Sequence, residues 1–339
     1  MPTGDAAWPW LRFDNEATTC PACGSSAIHL LDAFSAPRDR AGHRVRFIAG
    51  CDACGLVFAN PLPSSEELAA LYADDGPWAA RRAARRERLE AAQRRRLARN
   101  QTRKRRRTAA PARSRDLLFA EMDPYLPVSS PPSGAKALDV GCGEGKFLDW
   151  LQERGWHTYG IEPSTDLAFL RHASLISPPQ DRSFALVILH HVLEHVTSPL
   201  DLLRQVAGAL SDSGVLFISV PRLDTLPLHG DFAYCLNART HPVSFTEDCL
   251  RHLLTMAGLA MAGRLDAPSL DQAYTEGKSL RLRLVATHAR APSTGSAAPL
   301  RAARVALAGF DRRRGLRARA RRLLPVRLRA SLIDTSHER

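Results

Sequence analysis

A chain of 339 residues, 45% hydrophobic and 24% charged, can bury one core of ordinary size plus a small accessory module, which excludes a disordered or fibrous protein. No apolar run approaches the ~20 residues of a membrane helix, because the longest, Phe184 to Leu193, is interrupted by His190 and His191. The net charge of +12 is confined to two stretches: residues 81–115 carry 16 Lys/Arg against Glu87 and Glu90, and residues 301–339 carry 12 Arg against Asp311, Asp334 and Glu338, leaving the remainder net acidic.

Asp5, Trp8, Trp10 and Arg12 stand where a signal peptide would need a basic start and an apolar stretch, so a cytoplasmic chain with no transmembrane segment is expected. Residues 1–62 form a cysteine-bearing module with short β-like runs at Val45–Ile48 and Leu56–Phe58. Cys20-Pro-Ala-Cys23-Gly and Cys51-Asp-Ala-Cys54-Gly are matched knuckles separated by 27 residues, each setting two thiolates on a tight turn. Four thiolates satisfy tetrahedral Zn²⁺ in a closed, structural site. With Cys142, Cys235 and Cys249 the total is seven, an odd count that argues against disulfides, the alternative being two disulfides or free thiols. Asn60-Pro61-Leu62-Pro63 reads as a Pro-rich turn leaving the module.

Residues 63–126 read as a helical connector. Ser64 or Ser65 can cap Glu66-Glu67-Leu68, and an Arg-rich helix is expected from about Ala79 to Asn100. Residues 127–287 open on the linker Pro127–Gly134 and then alternate strand and helix. Strands are expected at Ala137–Val140, His157–Ile161, Phe184–Leu189 and Val215–Val220, the last following a turn at Ser213-Gly214. Helices are expected at Gly145–Arg154, Thr165–His172, Pro199–Leu210 and Thr246–Ala257, and late strands near Leu259–Leu265 and Leu280–Ala286. This alternation implies a parallel sheet covered on both faces. Residues 288–339 are a Pro/Ser/Gly linker and an Arg-rich tail without a motif of their own.

The chemistry concentrates in Ala137-Leu-Asp-Val-Gly-Cys-Gly-Glu-Gly145, where a buried strand runs into three alternate glycines and then a helix. Glycine there permits a tight turn and close approach of a ligand to the helix N-terminus. The spacing is neither that of the dinucleotide fingerprint, since Lys146 and Phe147 follow Gly145, nor that of a P-loop. The next strand ends at Ile161-Glu162, which sets a carboxylate where ribose hydroxyls can be bound.

With these residues in view, the chain resembles the class I S-adenosylmethionine (SAM)-dependent methyltransferases. LDVGCGEGKF is similar to their first motif, GIEPS to the end of their second strand, FALVILHHVLEHVTSP to their fourth strand and following loop, and LSDSGVLFISVP to their fifth strand. The resemblance implies a Rossmann-like α/β sheet with helices on both faces, preceded here by a zinc ribbon and a helical linker. It implies SAM as cofactor, with Asp139, Gly141, Cys142, Gly143, Gly145, Glu162 and His190 around it. Only Ala173–Ser183 separate the second helix from the fourth strand, so the third strand is short or absent and no adenine-contacting side chain is named. The cysteine knuckles followed by LVFANPLPSSEELAALY resemble the zinc-binding module of bacterial methyltransferases that include nucleotide-sugar C-methylating enzymes.

His191-Val-Leu-Glu194-His195 also matches the inverted zinc-protease pattern, which requires one continuous helix, whereas this segment starts at a strand end and is cut short by Ser198-Pro199. Two histidines stand out as acid–base candidates: His191 at the carboxyl end of the fourth strand, and His241 in the segment between the fifth strand and the next helix. The sugar C-methyltransferases carry an acid before the histidine in a similar segment, where this chain has Thr240. Three functions follow as expectations. The first is methylation of a small molecule on carbon or oxygen. The second is methylation of RNA, with the zinc ribbon and Arg-rich arms on the phosphate backbone. The third is a non-catalytic zinc-ribbon scaffold, against which the intact glycine triad and Glu162 speak. Oligomeric state is not encoded in any of these patterns.

Overall fold

The apolar runs of the second half of the chain assemble into one sheet. The computed structural model describes residues 17–31, 47–72, 114–162, 173–175, 177–229, 235–236, 240–265 and 279–289, with isolated positions between 76 and 91 and between 303 and 309. In chain order the N-terminal elements are β1 (Ile28–Leu30), β2 (Phe47–Cys51), β3 (Val57–Asn60), α1 (Ser65–Tyr72) and α2 (Ser114–Met122). Then come β4 (Lys136–Val140), α3 (Lys146–Gln152), β5 (His157–Ile161), β6 (Ala173–Ser174), β7 (Phe184–His190), α4 (Pro199–Ala209), β8 (Leu210–Pro221) and α5 (Leu226–His229). The last are β9 (Val243–Ser244), α6 (Glu247–Met256), β10 (Leu259–Arg264) and β11 (Arg281–His288).

The large sheet has seven strands in the order β10-β11-β8-β7-β4-β5-β6. β4 pairs in parallel with both β5 and β7, so the chain leaves it first toward one edge and then toward the other. Such a reversal opens a crevice beyond the carboxyl ends of the two central strands. The sheet is not wholly parallel, as expected from the alternation: β11 inserts antiparallel between β8 and β10. The third strand is present but only two residues long, paired in parallel with β5. β8 begins at Leu210 rather than after a turn at Ser213-Gly214, because Leu210 already pairs with Phe184. The expected helix at Thr165–His172 lies outside the described residues, as does most of the Arg-rich helix, of which Ala80, Ala84, Glu87 and Ala91 are helical.

Alternation along the strands divides the core into two layers. Ala137, Leu186, Ile188, Val215, Phe217 and Val285 face one side, where Leu118, Phe119 and Met122 of α2 and Trp150 and Leu151 of α3 cover them. Phe119 stacks on Trp150 at 4.1 Å between ring centroids, and Trp150 Nε1 donates to Asp116 at 2.6 Å. On the other side Leu138, Val140, Val187, Leu189, Leu216 and Ile218 meet α4 through Leu200, Leu203 and Val206, and α6 through Leu250, Leu253 and Leu254. The amide of Cys249 donates to the Thr246 hydroxyl at 3.2 Å, the N-cap that starts α6 where its sequence predicts.

The cysteine module shares that second layer. Cys20, Ala49, Cys51, Cys54, Leu56 and Phe58 belong to the same apolar cluster as the sheet. Its own four-stranded antiparallel sheet runs β1-β2-β3-β9, so its last strand comes from the far half of the chain. Ser64 and Glu67 form a reciprocal capping box at α1, at 3.1 and 2.7 Å. The Asn60 side chain grips the backbone of Ala17 by two hydrogen bonds, at 2.7 and 3.2 Å, closing the module just ahead of the Pro-rich turn. Among the described residues of the tail, Ala303 and Ala306 are buried, Ala303 against Ile48, Val57, Leu223 and Leu226. No helix among the described residues is long and apolar enough to cross a membrane.

Candidate active site

The crevice is built first by the turn after β4. Gly141, Gly143 and Gly145 have φ of 71°, 53° and 69°, in the left-handed region that costs an L side chain strain. A Cβ at Gly141 would lie 2.7 Å from Val192 Cγ2, whereas one at Gly143 would meet nothing within 4 Å. The turn is therefore packed on one side and open on the other. The amides of Gly141 and Cys142 donate to the Ile161 carbonyl at 2.7 and 3.1 Å, which ties the turn to the end of β5. One residue further, Glu162 Oε2 accepts from the Gly143 amide at 2.9 Å, so the expected acid does stand beside the glycine turn. Open backbone at Gly143 with a carboxylate at its edge is a cradle that fits the ribose and amino-acid end of SAM.

The other expected cofactor residues are placed differently. Asp139 is 2% exposed, and burial, reinforced by the charge of Glu162, pushes its carboxyl well above the usual range. The Cys142 side chain turns inward against Leu148, and a Cβ on Gly160 would meet its sulfur at 2.7 Å. Burial raises its thiol to about 12, so only its backbone is available to a ligand. His190 is half-buried, edge-on to Phe147 at 4.9 Å and to His191 at 4.7 Å, and burial holds its imidazole well below the usual value.

Beyond β7 the chain turns sharply at His191, whose φ is 59° and whose amide donates to the Ser219 carbonyl at 2.8 Å. A single 3-10 turn, Leu193–His195, follows. The His-x-x-Glu-His segment is thus split between a strand end, a left-handed residue and a short turn, which removes the protease reading. His191 Nδ1 lies 2.8 Å from Glu194 Oε1, and Glu194 is fully buried with its pKa raised by that burial. His195 Nδ1 lies 2.5 Å from the Thr240 carbonyl, its ring is 4.6 Å from that of His241, and burial lowers its pKa to about 4.

His241 is brought there from the opposite direction. The Ala59 amide donates to the Pro242 carbonyl at 2.8 Å, and Val57 and Phe58 pair with Ser244 and Val243, so the cysteine-bearing sheet fixes the segment that carries His241. Two residues missing from the sequence-derived list, Glu194 and His195, join it: one donor atom each from Glu194, His195 and His241 lie within 4.8 Å of one another. The carboxylate beside His241 comes from the loop after β7, position 240 itself being a threonine. Its only signal in the sequence was the Glu-His pair itself, which makes sense only once β9 is seen to pair with β3.

The four module cysteines converge as their spacing predicts. Cys20 and Cys54 sulfurs are 3.6 Å apart, Cys23 and Cys51 sulfurs 3.5 Å, and all four lie within 4.8 Å of one another as free cysteines. Tetrahedral Zn–S bonds of ~2.3 Å separate sulfurs by roughly 3.8 Å, so the donor set fits that ion. The Cys20 thiol, a hydrogen-bond partner, holds the Cys51 thiol down at about 2, while Cys51 in turn pushes Cys20 up to about 12.

A central glycine turn with its acid, at the reversal point of a doubly wound sheet, defines a SAM-dependent methyltransferase of class I. A family model described as a methyltransferase domain matches residues 86–262, over half of the chain, and the chain belongs to that family. It is similar to a tRNA U34 carboxymethyltransferase of Photobacterium profundum, 33% identical over 127 residues, covering 32% of this chain and 37% of the relative. It is also similar to a ubiquinone biosynthesis O-methyltransferase of Xanthomonas axonopodis pv. citri, 30% identical over 111 residues, covering 28% of this chain and 46% of the relative. The chain thus spans less than half the length of either curated relative. Among solved structures it resembles 1,6-didemethyltoxoflavin-N1-methyltransferase of Burkholderia thailandensis, with a TM-score of 0.42 and 19% identity over 76% of this chain and 99% of that one. A SAM-dependent methyltransferase of Mesorhizobium loti aligns with a TM-score of 0.40 and 18% identity over 50% of this chain and 96% of that one.

Proposed function

We propose that this methyltransferase acts on a small molecule, methylating oxygen or carbon, with the acceptor held between the glycine turn and the His191–Glu194–His195–His241 cluster. The observation that carries the reading is that cluster: titratable groups from two distant segments meet beside the turn, where Val192 packs on Gly141. When bound, SAM supplies an electrophilic methyl group; transfer forms a bond from acceptor to methyl, breaks the methyl–sulfur bond and leaves S-adenosylhomocysteine. The open backbone at Gly143 and the Glu162 carboxylate would hold it, with the paired rings of Phe147 and His190 nearby. His191, oriented by Glu194, is placed to take the acceptor's proton, while His241 and His195 position the acceptor atom.

Cys20, Cys23, Cys51 and Cys54 hold one structural zinc in this reading, closed to substrate. Its contribution to catalysis is indirect, through β3 and β9, to the position of His241.

A second reading, methylation of RNA, is supported by the tRNA-modifying relative and by the 16 Lys/Arg of residues 81–115. Incubating the chain with methyl-labelled SAM and either a metabolite extract or total RNA separates the two. Label in the small-molecule fraction is expected; label confined to RNA, lost as salt rises, would replace the first reading by the second. Glu162→Ala is expected to weaken SAM binding at least tenfold, since charge-assisted hydrogen bonds contribute ~1.5–3 kcal/mol each. Unchanged affinity by calorimetry would remove Glu162 from the site.

A further inference from the structure

Glu194 is an expensive residue to bury. It is fully buried, and His191 satisfies only one of its oxygens. The other, Oε2, has no hydrogen-bond partner. A buried carboxylate with an orphaned oxygen costs free energy that either a proton or a facing cation relieves. Imidazoles stand beside the carboxylate: a nitrogen of His195 and one of His241 lie within 4.8 Å of a Glu194 oxygen and of each other. With Nδ1 of His195 against the Thr240 carbonyl, that ring nitrogen is the N–H donor, and its lone pair stands on Nε2. A histidine oriented through its Nδ1, beside a carboxylate held through one oxygen with the other unpaired, is how metal ligands are held from outside.

We infer that Glu194, His195 and His241 form a binding site for a divalent first-row transition cation, separate from the four cysteines, that takes up the methyl acceptor's oxygen. Two imidazoles and one carboxylate suit borderline cations such as Zn²⁺, Co²⁺ or Fe²⁺, whereas Mg²⁺ and Ca²⁺ prefer oxygen alone. Three protein ligands leave coordination positions for a substrate atom, as in catalytic rather than structural sites. Bonds of ~2.0–2.2 Å place donors roughly 3–3.5 Å apart around such an ion, so the separation seen here closes by small side-chain rotations. The site also lies where a substrate oxygen is needed, because Val192, between His191 and the 3-10 turn, packs on Gly141 of the cofactor cradle.

The chemistry rests on the methyltransferase reading. An acceptor hydroxyl bound at the open position is acidified, its proton passes to His191, and its oxygen attacks the methyl group. The oxygen–methyl bond forms as the methyl–sulfur bond breaks, and the electron pair of that bond stays on sulfur. The acceptor is thereby narrowed to a hydroxyl compound able to chelate or at least reach the cation, such as a catechol, a sugar hydroxyl or a hydroxy acid.

The test uses the full-length chain with zinc on its cysteines, stripped of weaker metal and titrated anaerobically with Co²⁺. Wild type is expected to bind one Co²⁺ per chain, with weak visible bands and without the intense near-ultraviolet sulfur-to-cobalt absorption that exchange into the cysteine site would give. Glu194→Gln and His241→Ala are each expected to weaken this binding at least tenfold while zinc content stays the same. His241 is only partly buried and lies two residues before β9, so His241→Ala keeps the test intact if the buried Glu194 variant fails to fold. Absence of Co²⁺ binding by wild type, or unchanged binding in the folded variants, overturns the site. SAM affinity measured on the same samples separates the two layers of argument. A chain that binds SAM but no Co²⁺ loses the cation and keeps the methyltransferase assignment; one that binds Co²⁺ but no SAM keeps the cation and loses its proposed role in methyl transfer.

Discussion

Alanine at Gly141 and alanine at Gly143 should have opposite signatures, although the two residues are neighbours on one turn. Both positions have positive φ, so each substitution costs about 1–2 kcal/mol of backbone strain. At Gly141 the new methyl would also sit 2.7 Å from Val192 Cγ2, well inside the ~3.5–4.0 Å of an ordinary carbon contact. Overpacking of this kind adds roughly 1–3 kcal/mol, for a total near 2–5 kcal/mol, or a fall in Tm of about 4–20 °C in a domain of this size. At Gly143 nothing lies within 4 Å, so the apo protein loses only the strain. That same open space is where SAM must approach, and the added methyl should weaken its binding at least tenfold. The assay is a thermal melt with and without saturating SAM, paired with calorimetry at 25 °C, since bound ligand raises stability by mass action. Equal destabilisation of the two apo variants would refute the role of Val192. Wild-type SAM affinity in Gly143→Ala would show that the cofactor does not lie over the turn.

Three further outcomes follow from other parts of the molecule. Elemental analysis should find one zinc that disappears in Cys51→Ala, and its removal should loosen His241 through β3 and β9, visible as faster amide exchange in Val243 and Ser244 while the Gly141–Gly145 turn stays protected. Zinc loss without any change at Val243 and Ser244 would show that the module and the site are uncoupled. Asp139 has a folded pKa raised by burial, so the folded state binds its proton more tightly and stability falls as pH rises from the unfolded value toward the folded one. Asp139→Asn should therefore stabilise the apo chain at pH 7 relative to wild type and lose that advantage near pH 4; a pH-independent difference would contradict the buried acid. Ala303→Asp would place a charge among Ile48, Val57 and Leu223 and should cost more than ~2 kcal/mol. Arg304→Ala, which among the described residues breaks an exposed pair with Asp52 at 3.4 Å, should cost under ~1 kcal/mol in the same melt.

Much of this protein was legible in its sequence because it is encoded over short distances. Apolar runs such as Phe184–Leu189 become buried strands, Ser64 and Glu67 close a capping box, Thr246 starts α6, and three glycines at alternate positions adopt the positive φ their turn requires. The convergence of four cysteines was equally readable, since each C-x-x-C pair folds on its own turn and only one pairing of knuckles is needed. Tertiary structure alone decided the rest. Periodicity marks β10 and β11 as strands, but their antiparallel insertion beside β8 depends on which edge the connecting chain reaches. The two-residue β9 carries too little pattern to announce itself, yet its pairing with β3 joins the cysteine module to the methyltransferase sheet. Ala303 reads as part of an Arg-rich tail until its burial against Ile48 and Val57 is seen. Glu194 and His195 looked like loop residues because the sequence offers Glu194 only His191 nearby and gives His195 no partner within a few positions. Their partner, His241, is distant in the chain, and only the folded backbone brings its imidazole within 4.8 Å of a carboxylate oxygen of Glu194.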